Sequence, residues 1–416
     1  MGEHLTSIDD LPLTREERER IRPVTREYKF RVTKHYASLI DWNDPDDPLR
    51  RIVVPSPAEL DSRWVLDPSG EERYMKVRGL EHKYADTALL LVSSICDSLC
   101  RYCFRKRLFL PSNDEVENDL SQAIPYIAAH PEIRNAILSG GDPLTLSTRR
   151  LDEMLTQLCG IEHLQTIRIG SKALAFRPQR VDDGLLGALS RHAEQKRIYL
   201  MTHFDHPREV SPESIAAIRR LQDAGVTLLN QHPIIRGVND TAPVLRELFT
   251  AMSENRIMPY YSFICRPTAG NEESSVPIEE SLAAFTEAQS GLSGIERTAR
   301  LMMSHITGKI EVLGMDASTI SFRMYRPADP ADIGKVVQFP RDPHARWFDE
   351  YAREQQTARV SAPNTGRTRQ DDSNAYKRDQ KPNGRNGQST VVERARALRR
   401  DRAKQALYPL STYVDR

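Results

Sequence analysis

From about Lys83 to Met315 the chain repeats one unit: a short aliphatic run, a loop, then a longer stretch with apolar residues at helical spacing. The runs are TALLLVS (87–93), NAILSGG (135–141), QTIRIGS (165–171), IYLMTHF (198–204), VTLLNQ (226–231) and PYYSFI (259–264). They are largely apolar rather than alternating, as strands buried on both faces are. Six strand–helix units predict an α/β protein whose parallel sheet is joined by right-handed crossovers and is either doubly wound or closed into a full or partial barrel. In all of these, ligands gather at the carboxyl ends of the strands. Residues 1–82 read differently. Asp-Pro and Pro-Asp-Asp-Pro turns break up HYASLIDWNDPDDPLRRIVVP, which predicts a mostly helical, irregular extension packed on the sheet. Residues 316–352 are expected to pack on the core as a C-terminal segment.

Composition adds a boundary. A hydrophobic content of 39% in 416 residues supports a full core. The net charge of +1 hides an uneven spread: 15 Lys/Arg against 7 Asp/Glu from Arg353 onward, and 44 against 51 before it. Within residues 353–416 a polar stretch rich in Gly, Pro and Asn cannot bury enough surface to order itself, and is expected to be disordered. STVVERARALRRDRAKQAL, further on, has the residues of a short exposed helix with a basic face. No run of about 18 apolar residues occurs, and the N-terminus lacks a signal-peptide layout, so the protein is read as cytoplasmic.

The chemistry concentrates in SSICDSLCRYCFRKRLF (93–109), where Cys96, Cys100 and Cys103 form a C-x3-C-x2-C pattern among Arg101, Arg105, Lys106 and Arg107. A closed zinc site requires a fourth protein ligand, and no nearby His or Cys supplies one. Three thiolates suit an iron–sulfur cluster with one iron left open. The cations would then lower the thiol pKa values and offset the charge of the cluster. Cys159 and Cys265 stand alone, and for Cys159 the expected role is a small buried side chain.

With Tyr102 and Phe104 flanking its last cysteine, this loop resembles the signature of radical S-adenosylmethionine (SAM) enzymes. LSGGDPLTLS, IRIGSKALAFRPQR, MTHFDHPREVSPES and LLNQHPIIRGVND resemble, in order, blocks of the lysine 2,3-aminomutase family, and HYASLIDWNDPDDPLRRIVVP resembles its N-terminal region. The resemblance spans roughly residues 31–315 and leaves the basic tail uncovered. It implies a partial (βα)6 barrel, a 4Fe-4S cluster, SAM and pyridoxal phosphate (PLP), and a reaction that moves an α-amino group of a small amino acid to the β carbon. A one-electron reductant such as flavodoxin or ferredoxin is implied as partner, and a homo-oligomer is compatible.

Site residues follow from the same comparison. Ser139, Gly140, Gly141 and Asp142 end the second strand. The glycines would let the backbone approach a ligand, and Asp142 would pair with the methionine ammonium of SAM, although alone the four residues read as an ordinary turn. Ser171, His203 and Gln231 end the next three strands and are assigned SAM or pocket contacts; for His203 a structural role is the alternative. Arg105 matches the residue that grips the substrate carboxylate. Lys309, in the strand-like run SHITGKIEV (304–312), matches the lysine that binds PLP covalently. Burial there would lower its pKa.

The chain departs from lysine-specific members where two aspartates bind the substrate's ammonium: Arg266 and Met302 stand in their places. Arginine would repel lysine and attract an acidic side chain, so glutamate is expected in preference to lysine. No thiol follows Cys265, so the zinc held near the C-terminus of some relatives is not expected. Three other readings stay open: radical SAM chemistry without PLP, a lysine or protein-lysine 2,3-aminomutase, and a nucleic-acid or protein-modifying role with the tail as docking arm. No base-reading motif supports nucleic-acid binding.

Overall fold

The structure, a computed structural model, describes residues 3–352. The expected disordered tail with its short helix, 353–416, lies outside the described residues. Two short strands, β1 (His4–Leu5) and β2 (Val32–Thr33), pair antiparallel in the N-terminal extension. All other strands belong to one sheet, in chain order: β3 (Met75–Val77), β4 (Leu80–Tyr84), β5 (Thr87–Ser93), β6 (Asn135–Gly140), β7 (Thr166–Gly170), β8 (Arg197–Thr202), β9 (Thr227–Ile234), β10 (Met258–Ile264), β11 (Arg300–His305), β12 (Gly308–Met315), β13 (Thr319–Pro327) and β14 (Val336–Pro340).

All six expected strands are present as β5 to β10 and are parallel. A seventh parallel strand, β11, follows the helix Ile278–Ser290. The run 304–312 is therefore not one strand. It holds the end of β11, a tight turn and the start of β12, which returns antiparallel with Ser304 opposite Lys309. Gly308 makes that turn at φ +131°, where a Cβ would collide with the Arg326 carbonyl.

Helices cover the sheet because their apolar residues recur every three or four positions. In Thr148–Cys159, Leu151, Met154, Leu155 and Leu158 are fully buried, and Ser147 caps the helix through the Arg150 N–H. Asp182 and Ser211 cap Asp183–Ala193 and Pro212–Asp223 in the same way. The sheet curls until its flanks meet. From β13, Arg326 pairs with Asp86 and donates to the Thr87 hydroxyl (2.9 Å), and from β4 the Lys83 ammonium donates to the His305 carbonyl at 2.6 Å. No helix among the described residues is long and apolar enough to cross a membrane.

The extension is stitched to this core by specific groups. The Glu272 carboxylate accepts from the hydroxyl of Ser62 and the backbone N–H of Arg63 and Trp64. Val65 forms a bridge with Thr268, and the Tyr74 hydroxyl donates to the Ile306 carbonyl (2.9 Å), next to the β11–β12 turn.

Candidate functional site

The cysteine loop leaves the end of β5, and residues from the extension hold it. The Leu99 N–H donates to the Arg31 carbonyl (2.9 Å), and the Arg101 N–H to the Ile52 carbonyl (2.8 Å). Cys96, Cys100 and Cys103 are partly exposed free thiols within electrostatic reach of one another. Among the described residues, no group of three His, Cys, Asp or Glu is arranged to hold a metal ion. Burial lifts all three thiols above their ordinary value, and at Cys103 this outweighs the pull of Lys106, Arg105 and Arg107.

Lys106, Arg105 and Arg107 do pull the Cys103 thiol down as expected, and all four cations are in addition paired with glutamates of the extension and the loop. Arg101 meets Glu59 with two hydrogen bonds (2.8 and 2.7 Å), and Lys106 donates to the same carboxylate at 3.1 Å. Arg105 meets Glu71 fork to fork at 3.0 and 2.9 Å, and Arg107 reaches Glu71 at 2.6 Å and Glu115 at 2.8 Å. Both Glu59 and Glu71 come from the extension and are buried. Burial alone would raise the Glu71 carboxyl, but the guanidinia of Arg105 and Arg107 hold it well below the usual carboxylate range. Nearby Glu81, buried with one oxygen unpartnered, is pushed up to about 8 by burial and by Glu71.

At the end of β6, the glycines of SGGD serve the protein's own backbone. Gly140 has φ +117°, and a Cβ there would collide with the Ser93 carbonyl. The N–H groups of Gly141 and Asp142 donate to the carbonyls of Ser93 (2.6 Å) and Ile95 (2.7 Å), which pins this turn against the cysteine loop. The Asp142 carboxylate accepts from the Leu144 N–H, the Ser171 hydroxyl and the Lys172 N–H, each at 2.9 Å. Burial raises it to about 6 despite these bonds. The Ser139 hydroxyl accepts from Arg105 Nη1 at 2.8 Å. His203 Nε2 lies 3.1 Å from both the Tyr102 hydroxyl and Asp205. Lys172 pairs with Asp205 (2.8 Å) and Glu209 (2.7 Å) in the same buried network. The Gln231 side chain makes no hydrogen bond among the described residues.

Lys309 lies on the sheet face shared by Tyr261, Phe263, Met302 and Ser304. Its ammonium is 4.8 Å from the Tyr261 ring centroid and 4.7 Å from that of Phe263. It has no ion pair among the described residues. Burial lowers its pKa well below the ordinary value, and the cations of Arg266, Arg326, Lys83 and Arg168 lower it further. Met302 is fully buried on this face and offers no charge. Arg266 stacks on Phe104, its guanidinium carbon 3.6 Å from the ring centroid, and Arg105 reaches the same ring at 4.8 Å. Arg266 Nη1 is buried without a hydrogen-bond partner, 3.8 Å from Glu71, and burial lowers the group to about 10.

Sequence reasoning missed Glu59, Glu71, Glu81, Lys83, Arg168 and Arg326. Glu71 sits in a charged, patternless GEERY, and only the fold brings it to Arg105. Lys83 and Arg168 lie in or beside predicted strands, and a cation within a buried strand was the available signal.

No family model matches the chain. A putative L-lysine 2,3-aminomutase of Aquifex aeolicus is 48% identical over 359 residues, covering 84% of this chain and 96% of that protein. The L-lysine 2,3-aminomutase of Clostridium subterminale is 36% identical, covering 68% of each chain. The glutamate 2,3-aminomutase of Clostridioides difficile is 31% identical, covering 71% of each. A solved radical SAM methyltransferase from Sphaerobacter thermophilus aligns at a TM-score of 0.36 and 17% identity over 54% of this chain and 68% of its own, too slight a likeness to carry an argument. Identity of this extent along nearly the whole of a relative places the chain in the lysine 2,3-aminomutase family, and it is a radical SAM isomerase.

Proposed function

We propose that this enzyme moves the α-amino group of an acidic amino acid, glutamate first, to the β carbon, using a 4Fe-4S cluster, SAM and PLP. Members of the family use these three groups. The curled parallel sheet is read as the family's partial (βα)6 barrel. Cys96, Cys100 and Cys103 would hold the cluster, residues 139–142 with Ser171, His203 and Gln231 would line SAM, and Lys309 would hold PLP. When bound, the cluster and SAM would supply radical chemistry at the β carbon, and PLP would supply a carrier for the migrating nitrogen.

The chain's own residues fit PLP and SAM. Burial and the surrounding cations lower the Lys309 amine well below its ordinary value, the direction that a covalent bond to an aldehyde requires. Lys83, Arg168 and Arg326 supply positive charge for a phosphate, and Arg168 Nε is buried without a partner. Leu144, Ser171 and Lys172 fix the Asp142 carboxylate in place, and a SAM ammonium would join it there.

The substrate reading rests on one observation: Arg266 Nη1, buried and belonging to one of the cations around Lys309, has no hydrogen-bond acceptor. A side-chain carboxylate would supply one, whereas an ammonium would add a fifth cation to Arg266, Arg326, Lys83 and Arg168 around Lys309. The observation on the other side is that relatives up to 48% identical are named for lysine. Anaerobic reconstitution with iron, sulfide, SAM and PLP, followed by assays over the common amino acids, tests the proposal.

A further inference from the structure

We propose that the outer side of the cysteine loop is a docking surface for an acidic one-electron carrier protein, centred on Lys29 and Arg31. The inference rests on the radical SAM reading, which requires an electron from outside. Two adjoining hollows of about 450 and 400 Å³ flank the loop and share Lys29, Ser94 and Phe109. The larger is also lined by Arg31, Ile95, Cys96 and Leu99.

The cations here differ from those within the loop. Arg101, Arg105, Lys106 and Arg107 are all paired with buried glutamates. The side chains of Lys29 and Arg31 make no ion pair or hydrogen bond among the described residues, and Arg31 Nε is buried with no acceptor. Their backbones are nonetheless fixed to the loop: the Lys29 carbonyl accepts from Arg101 Nη1 and the Arg31 carbonyl from the Leu99 N–H, both at 2.9 Å. Two unpaired charges are thus held at set positions beside Cys96.

Between them lies an apolar patch. Ile95 is 51% exposed, next in sequence to a cysteine, with Leu99 and Phe109 partly exposed nearby. An apolar centre with a cationic rim fits a partner that carries carboxylates around its own apolar redox edge. A flavodoxin hydroquinone has that chemistry. It would give up one electron, becoming the semiquinone, and the cluster would gain it, with no bond made or broken.

The test measures binding separately from turnover. A purified bacterial flavodoxin is titrated by calorimetry against full-length wild-type protein, Lys29→Glu, Arg31→Glu, the double variant and Arg149→Glu, an exposed cation outside the patch. SAM cleavage is then driven by dithionite and by reduced flavodoxin. Binding should weaken as salt rises and fall at least about tenfold in the double variant, with Arg149→Glu unchanged. Dithionite-driven cleavage should be equal in all five proteins, and flavodoxin-driven cleavage should follow the binding. Equal binding by the double variant and the wild type would overturn the proposal. So would reversals that change only the sedimentation of the protein itself, because a second copy would then cover this face. Loss of cleavage with dithionite in the wild type would count against the radical SAM reading, while the titration would still decide the docking surface.

Discussion

The Glu71 carboxylate and the Arg105 guanidinium face each other fork to fork, with Oε1 2.9 Å from Nη2 and Oε2 3.0 Å from Nε. The residue expected to grip the substrate carboxylate already holds a carboxylate of the protein. A substrate is left the Nη1–Nη2 edge, where Ser139 accepts from Nη1. Glu71 thereby aims Arg105 and stands 3.8 Å from Arg266, the two guanidinia assigned to the substrate.

Replacing Glu71 with Gln leaves Arg105, Arg107 and Arg266 crowded without their shared charge. Breaking such a buried pair costs about 3–5 kcal/mol, to be read from urea unfolding near pH 7. The Glu71 carboxyl is depressed in the fold, so its contribution is present above the ordinary value of 4.5 and is lost as pH falls toward the folded value. The gap between wild type and Glu71→Gln should therefore narrow below pH 4.5. A gap independent of pH would contradict the pairing.

Glu81 runs in the opposite direction. Its folded value, about 8, lies above the ordinary 4.5, so the unfolded chain releases the proton first and stability drains away as pH rises from 4.5 to 8. Glu81→Gln, which keeps the shape and removes the ionisation, should remove that slope and make the protein more stable than wild type above pH 8. Unfolding curves at pH 5, 7 and 9 measure it; a slope left unchanged by the substitution would place the titration elsewhere.

Much of this was legible in the sequence, for physical reasons. β5 to β10 announced themselves because strands covered on both faces are apolar almost throughout, as Leu89, Leu90 and Leu91 are. β11 was hidden because Ile306, apolar in a tight turn, joined Ser304–His305 to Gly308–Lys309 in one apparent run. β3 was hidden because it is only three residues long, and β4 because Glu81 and Lys83 break its apolar pattern. The cysteines and the carboxyl-end loops were placed by motif. The carboxylate partners of the cations beside them, Glu59 and Glu71, were hidden because they lie more than thirty positions upstream, a distance that only folding closes.

Lys309→Ala should abolish the PLP adduct that borohydride traps on the wild-type chain, while the iron–sulfur absorbance stays. Gly308→Ala should act on the same residue indirectly: with φ +131° and the Arg326 carbonyl in the way, it should cost about 2–4 kcal/mol and lower adduct yield by displacing Lys309. Peptide mapping of the reduced adduct checks both. An adduct on another lysine would remove Lys309 from its role.

Cys96→Ala, Cys100→Ala and Cys103→Ala should each abolish reductive SAM cleavage, because three thiolates are the minimum that holds a cluster with one open iron. Production of 5'-deoxyadenosine under dithionite is the readout. Cleavage at the wild-type rate in any one of them would dismiss that cysteine as a ligand.

The central claim is that a radical SAM aminomutase has had its substrate's side-chain charge reversed by Arg266. The most direct measurement is turnover of glutamate, aspartate, lysine, arginine and alanine by wild-type and Arg266→Asp protein under one reducing system. The account predicts wild-type conversion of an acidic amino acid to its β-amino isomer, little or none of lysine, and a fall of about two orders of magnitude or more on the acidic substrate in Arg266→Asp. Good lysine activity need not appear, since Met302 still withholds the second carboxylate. Efficient conversion of lysine by the wild type, unchanged in Arg266→Asp, would contradict the account.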